Sequence, residues 1–191
     1  MTRVLKTSDR ALPPQWLLLT ILAGLGMVGP FSIDTMFPAF AQMAIDLDTS
    51  PLALQQLISV YLLSFAVMSL FHGPLSDALG RKPVIMVGSA LFVLSSLACA
   101  LAPSLGWPLV GRALQGLSAG AGQIISRAMV RDVFTGERAQ KVMSQIAMIF
   151  GLAPALAPIV GGWLLVHGNW RGIFWFLTGV GLLLLVLVGF F

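Results

Sequence analysis

Residues 52–102 decide the fold of this chain: LALQQLISVYLLSFAVMSLFH (52–72), GPLSDALGRKP (73–83) and VIMVGSALFVLSSLACALA (84–102). Two apolar runs of 21 and 19 residues flank a short segment that carries all the charged residues of this stretch. A helix that crosses a bilayer needs about 20 predominantly apolar residues. The stretch therefore predicts a hairpin of two membrane helices joined by a short charged connection.

The same pattern repeats along the 191 residues, so the sequence predicts an all-α membrane protein with six transmembrane helices. The predicted spans are residues 15–40, 52–72, 84–102, 106–127, 142–166 and 171–191. Hydrophobic residues make up 58% of the chain and charged residues 9%, against about 25% charged in a soluble domain. This composition excludes a soluble enzyme, a disordered tail and a coiled coil. The one cysteine, with no Cys/His cluster, indicates neither a disulfide nor a metal site.

The basic residues predict the orientation in the membrane. Nine of the eleven fall in segments on one side of the predicted bilayer, and one, Arg171, falls on the other. Cytoplasmic loops carry an excess of Lys and Arg, so both termini are predicted to be cytoplasmic. The net charge of +4 then reflects topology in a lipid bilayer rather than a nucleic-acid partner. The first span is too long for a cleaved signal peptide and contains Asp34.

Two charged residues fall inside predicted spans, Asp34 in the first and Arg112 in the fourth. Intramembrane charges mark pathways, proton relays or buried pairs. Each lies six residues from the outer end of its span, a depth of roughly 9 Å, so a direct or water-bridged pair is possible. Arg112 would keep Asp34 ionised, and its withdrawal would favour protonation and let a cationic substrate compete with the proton. The alternative is a static pair that fixes helix packing.

Other residues are candidates for a substrate pocket. Tyr61, Gln115 and Gln123 offer polar groups within spans, although such groups also serve as interhelical hydrogen bonds. Pro30 and Pro38 flank Asp34 and predict a bent or broken first helix, a feature that often builds substrate sites. Small residues in the fourth span, Gly116, Gly120 and Gly122, predict close approach of other helices. Trp107 and Trp170 fit the outer aromatic belt.

Three motifs resemble those of the major facilitator superfamily. The connection after the second span matches its cytoplasmic gating motif, through Gly73, Asp77, Gly80, Arg81 and Lys82. The fourth span carries Arg112-Ala-Leu-Gln115-Gly116, which is similar to a motif linked in that family to proton coupling. The fifth span resembles the antiporter motif, with Ala157 in place of a glycine; its residues are Pro154, Pro158, Gly161 and Gly162.

Further segments narrow the resemblance to the Bcr/CflA drug-resistance transporters: Asp34-Thr-Met-Phe-Pro38, Arg131-Asp132-Val-Phe and Asn169-Trp-Arg-Gly-Ile-Phe-Trp175. The resemblance implies export of small-molecule drugs such as bicyclomycin, chloramphenicol or florfenicol across a bacterial inner membrane. Inward proton flow would drive it, with no cofactor. It also implies that Asp77 accepts bonds from a helix N-terminus of the other half and pairs with Arg131 or Arg81, and so latches the outward-open state; the alternative is a motif that only anchors the topology.

The superfamily normally has twelve helices in two halves, each made of two inverted three-helix repeats. The six predicted spans correspond to the N-terminal half, and a C-terminal six-helix half is expected as partner. A truncated chain explains this length most simply, and a six-helix dimer is the alternative. Competing functions are an exporter of a metabolite such as an amino acid or peptide, or an inactive membrane fragment. An intramembrane enzyme would need a Ser/His, paired-acid or metal constellation, which the sequence does not show.

Overall fold

The computed structural model describes residues 15–190, and every regular element in that part of the chain is helical. The α-helices are α1 (Gln15–Asp34), α2 (Phe40–Asp46), α3 (Pro51–Leu79), α4 (Arg81–Ala100), α5 (Gly106–Val133), α6 (Gly136–Val166) and α7 (Trp170–Phe190). A 3-10 turn, Phe37–Ala39, lies between α1 and α2. The prediction of an all-helical chain is confirmed.

Five segments of the described chain are long and apolar enough to cross a membrane: Trp16–Asp46, α3, α4, α6 and α7. The remaining predicted span corresponds to α5, whose 28 residues suffice in length but are not apolar enough. Half of these residues are buried, because α1, α3 and α4 pack around the helix. A helix enclosed by protein can carry Gly, Ser, Gln and Arg where a lipid-facing helix needs aliphatic side chains.

The first predicted span is not one continuous helix. Helix α1 ends at Asp34, and the chain passes through the 3-10 turn before α2 begins. Pro38 explains this end, because it has no N–H for the Asp34 carbonyl and its ring clashes with that carbonyl. Pro30, in contrast, lies inside α1, and the helix continues past it. The break predicted from the prolines is therefore located after Asp34.

The basic connections are shorter than the sequence predicts. Residues 73–79 continue α3 and residues 81–83 begin α4, so only Gly80 separates the two helices, with a φ of +98° that favours glycine. Helix α5 likewise runs to Val133, and α6 starts at Gly136. Hydropathy marks where the apolar side chains stop, but the backbone hydrogen bonds of each helix continue through the charged residues beyond them. The charged residues within 132–141, which lie between the predicted fourth and fifth spans, are therefore mostly on helix ends.

The small residues of α5 set the spacing of the bundle. A Cβ on Gly116 would overlap the Tyr61 carbonyl of α3, and one on Gly120 would lie 2.9 Å from the His72 ring. On another face, a Cβ on Gly122 would lie 2.8 Å from the Leu25 carbonyl of α1. The predicted close approach of neighbouring helices is thus confirmed. Around this centre α4 packs against α7, and α6 packs against α1 and the 3-10 turn.

Candidate functional site

Arg112 lies in the second turn of α5 and is the centre of the candidate site. It is 1% exposed, and its guanidinium forms no ion pair within the described residues. Nη2 donates to the Ser32 carbonyl at 2.8 Å, and Nη1 donates to Gln115 Oε1 at 2.9 Å. The rings of Tyr61 and Phe174 lie 5.6 and 5.2 Å from the guanidinium carbon. Dipoles and aromatic faces, rather than a carboxylate, surround this buried cation.

The end of α1 supplies the carbonyl that Arg112 binds. In a continuous helix the Ser32 carbonyl would accept the N–H of Met36. Here that N–H bonds to the Ile33 carbonyl instead, at 3.2 Å. The last carbonyls of a helix lack intrahelical partners and carry the negative end of its dipole. The break after Asp34 therefore creates a binding position for a cation, and Arg112 occupies it.

Asp34 lies beside this position but does not contact the arginine. Its side chain is only partly buried, and no ion pair joins it to Arg112 in the described part of the chain. Of the direct and water-bridged pairs that equal depth allows, the direct one is absent from this conformation. Equal depth does not by itself bring two groups together, because a contact between helices also depends on rotation about each helix axis, and residues two apart on a helix do not face the same way.

The other predicted pocket residues divide into two groups. Tyr61 and Gln115 are both within the Arg112 environment and buried to 1% and 0% exposure. The Tyr61 hydroxyl donates to the Gly29 carbonyl at 3.1 Å, so it links α3 to α1. Gln123 is partly exposed and lies eleven residues beyond Arg112 on α5, about 16 Å along the axis. The structure does not bring Gln123 to the arginine.

The antiporter-like motif lies on α6, next to the break in the first span. A Cβ on Gly161 would overlap the Thr35 carbonyl oxygen and come within 3.0 Å of its carbon. Ala153, Ala157 and Gly161 form the buried stripe of this helix. Pro154 is exposed, Pro158 is partly exposed, and a Cβ on Gly162 would meet nothing within 4 Å. Gly161 of this motif therefore packs closely on the segment that carries Asp34.

The gating motif forms a charged cluster at the cytoplasmic end predicted from the sequence. Arg81 Nη1 lies 2.7 Å from Asp77 Oδ1, and its Nε lies 3.1 Å from Asp132 Oδ2 on α5. Arg81 also donates to the Ser76 hydroxyl, at 2.5 Å. The predicted Asp77–Arg81 pair is present. Arg131, the other predicted partner of Asp77, is exposed, and its neighbour Asp132 is the residue of α5 that contacts Arg81.

Two further motif residues complete this end of the molecule. Lys82 Nζ donates to the Gly189 carbonyl at 3.0 Å, which ties the start of α4 to the end of α7. Gly73 has open space around it and accepts the Ser76 hydroxyl on its carbonyl, at 2.8 Å. The cluster thus connects α3, α4, α5 and α7 at one end of the bundle.

The sequence placed Trp170 in an outer aromatic belt, but the structure buries this side chain inside the bundle. It is 0% exposed, its indole N–H donates to Asp46 at 2.9 Å, and its backbone N–H donates to the Gln42 side chain at 2.9 Å. These bonds fasten α2 to the start of α7. Trp107, in contrast, is 56% exposed and fits the predicted belt position.

Several residues of the site were not singled out from the sequence. Ser96 of α4 accepts a hydrogen bond from Gln115, and Phe174 of α7 covers the guanidinium. Ser32 contributes its backbone carbonyl, and the sequence of side chains does not reveal which carbonyl is free to bind a cation. The proline after Asp34 is the one indirect indication. Within residues 15–190 no group of three or more His, Cys, Asp or Glu residues could hold a metal ion.

Comparison with known proteins matches this architecture to one family. The family model described as Major Facilitator Superfamily matches residues 16–191. The chain is 40% identical over 170 residues to an uncharacterized MFS-type transporter, YdgK, of Bacillus subtilis, covering 88% of this chain and 42% of that protein. It is 38% identical to a bicyclomycin resistance protein homolog of Haemophilus influenzae, covering 87% and 42% respectively. Multidrug resistance protein D of Escherichia coli is 37% identical, with 84% and 41% covered.

Solved structures agree on the fold. A proton:xylose symporter, XylE, superposes with a TM-score of 0.80 at 14% identity, covering 92% of this chain and 44% of that one. A peptide transporter, POT, gives a TM-score of 0.78 at 21% identity, with 90% and 37% covered. The chain belongs to the Major Facilitator Superfamily, and this membership together with the apolar helices indicates a multi-pass membrane protein. It spans about two-fifths of the length of the curated relatives that it matches.

Proposed function

We propose that this chain supplies the N-terminal six-span half of a proton-coupled exporter of small-molecule drugs. The relatives named for bicyclomycin and multidrug resistance support the class of cargo. Relatives of more than twice the matched length support a second half as the partner that completes the transport path. The proton gradient is the energy source, and no cofactor takes part.

The observation that carries this proposal is the buried Arg112, which pairs with no carboxylate among residues 15–190 and lies beside a broken helix that bears Asp34. Burying a charged group without a counter-ion costs folding free energy, because the group loses its hydration and gains no opposite charge. Its retention is reasonable where a carboxylate compensates the charge during part of a cycle. Asp34, on the same helix end and partly exposed, is the group placed to do so.

The proposed cycle alternates the partner of Arg112. In the conformation described here Arg112 is held by the Ser32 carbonyl, and Asp34 is available to a proton or a cationic drug. A shift of the broken segment would bring Asp34 towards Arg112, favour its ionised form and release the proton. The close packing of Gly161 on Thr35 supports a role for α6 in this shift, because movement of one must displace the other.

The bundle supports two inverted three-helix repeats within this half. If the first three spans (α1 with α2, α3, α4) are exchanged with the last three (α5, α6, α7), the contact between α3 and α5 becomes the contact between α6 and α1. The contact between α4 and α7 is unchanged by the exchange. All three contacts are present. The clustering of Arg81 and Lys82 at one end supports an orientation with both termini in the cytoplasm of a bacterial cell, across its inner membrane.

The test is Asp34→Asn in the protein at its full natural length, reconstituted into proteoliposomes with a pH gradient. We expect the variant to lose drug-dependent proton flux, because the amide cannot exchange a proton. Asp48→Asn is the matched control: it makes the same charge change in an exposed turn, where φ is +45°, a conformation that Asn tolerates. Normal drug-for-proton exchange by Asp34→Asn would refute the coupling role. Transport of amino acids or peptides alone, from a substrate panel, would refute the drug cargo.

A further inference from the structure

Ser96 of α4 ends a chain of buried hydrogen bonds that begins at Arg112. Arg112 donates to Gln115, the Gln115 side-chain N–H group donates to Ser96 Oγ at 2.6 Å, and Ser96 donates to the Phe92 carbonyl at 2.7 Å. Gln115 and Ser96 are each 0% exposed. No water is needed to satisfy any link, and the chain crosses from α5 to α4.

The direction of this chain follows from which groups can donate. A guanidinium has donors only, so Gln115 must present its carbonyl oxygen to Arg112. Its amide N–H group then points away and needs an acceptor. Ser96 Oγ provides that acceptor because its own hydrogen is committed to the Phe92 carbonyl. Without Ser96 the buried amide would lose its partner, and rotating it would place N–H groups against the guanidinium.

We propose that Ser96 is a positioning residue for proton coupling: it fixes the Gln115 side chain so that Arg112 stays on the Ser32 carbonyl and away from Asp34. This role rests on the proposed function. The hydroxyl touches neither proton nor drug and acts only through Gln115. Its loss would loosen one of the two hydrogen bonds that hold Arg112 and would let the guanidinium move towards the carboxylate two residues beyond Ser32.

The groups that face Arg112 make Asp34 the expected alternative partner. Among residues 15–190, the Tyr61 ring of α3 packs on the guanidinium and Cys99 is buried on α4, and neither a phenol nor a thiol is a carboxylate that could pair with Arg112. Helix α7 contributes the uncharged Phe174. From α1, Asp34 is the carboxylate closest in sequence to the Ser32 carbonyl. A released Arg112 would therefore favour ionised Asp34, and protonation would need a more acidic outside solution.

The experiment measures drug-driven proton exchange against external pH, in proteoliposomes with the protein at its full natural length. We expect Ser96→Ala to move the pH of half-maximal exchange towards acid by about one unit, as expected when a cation approaches a carboxylate. Ser95→Ala is the matched control, because Ser95 is 2% exposed and donates to the same Phe92 carbonyl at 3.0 Å without touching Gln115. It should leave the pH profile unchanged.

A second pair of variants covers the case in which Ser96→Ala does not fold. Ser96→Thr and Ser96→Val introduce side chains of the same shape, and only Thr keeps the hydroxyl. We expect Thr to retain the wild-type profile and Val to shift it. Identical profiles for Thr and Val, or for Ser96→Ala and the wild type, would overturn the role of Ser96 alone. A wild-type protein without pH-dependent exchange would overturn the proposed function, and the role of Ser96 with it.

Discussion

Gly161→Ala tests the packing of α6 against the broken first span. A methyl group at this position would overlap the Thr35 carbonyl oxygen and lie 3.1 Å from the Thr35 Cα. Backbone atoms cannot rotate aside as a flexible side chain does, so α6 must move away from the break. Gly162, one residue later on the same helix, has open space where its Cβ would lie and provides the control.

The magnitude follows from two opposing effects. Replacing Gly by Ala inside a helix stabilises it by about 1 kcal/mol, and this gain applies to both positions. Overpacking a tight contact costs about 1–3 kcal/mol, and this loss applies to Gly161 alone. The two variants should therefore differ by about 1–3 kcal/mol in the free energy of unfolding, with Gly162→Ala the more stable.

Thermal unfolding in detergent, followed by tryptophan fluorescence at a fixed scan rate, measures this difference. A change of 1 kcal/mol moves the Tm of a chain of 150–250 residues by about 2–4 °C. We expect Gly161→Ala to unfold at least about 2 °C below Gly162→Ala. An equal or higher Tm for Gly161→Ala would show that the α6 contact with Thr35 is not tight, and the proposed link between α6 and the Asp34 segment would lose its basis.

Two further predictions concern the ends of the bundle. Trp170→Phe removes the indole bond to Asp46 and leaves a cavity, so it should reduce the free energy of unfolding by about 2 kcal/mol, whereas Trp107→Phe at an exposed site should change it little; equal effects in thermal unfolding would contradict the burial of Trp170. The Arg81–Asp132 pair joins partly exposed groups, with side chains 27% and 53% accessible, so a double-mutant cycle should give a coupling of less than about 1 kcal/mol that weakens with added salt. A larger, salt-independent coupling would indicate a more buried latch.

The sequence was sufficient for the helices and for the chemistry of the candidate residues. Runs of apolar residues predicted the spans, because a bilayer requires a length of hydrocarbon-compatible helix that is visible along the chain. Pro30 and Pro38 predicted a bent or broken first helix, since proline removes a particular backbone hydrogen bond, but only the structure located the break after Asp34. Apolar composition misplaced the helix ends around Gly80, because α3 and α4 remain helical through the charged residues on either side of it. It also did not predict the enclosed character of α5.

The sequence by itself predicted a similar depth for Asp34 and Arg112, because helical rise converts residue number into position along a membrane-spanning helix. Only the tertiary structure decided which groups meet at that depth. A partner across helices depends on rotation about each helix axis, and a step of two residues reverses the side that a group faces. For that reason Arg112 binds the carbonyl of Ser32 and the side chain of Gln115 rather than the carboxylate of Asp34, and Ser96 enters the site from a part of α4 that no motif covers.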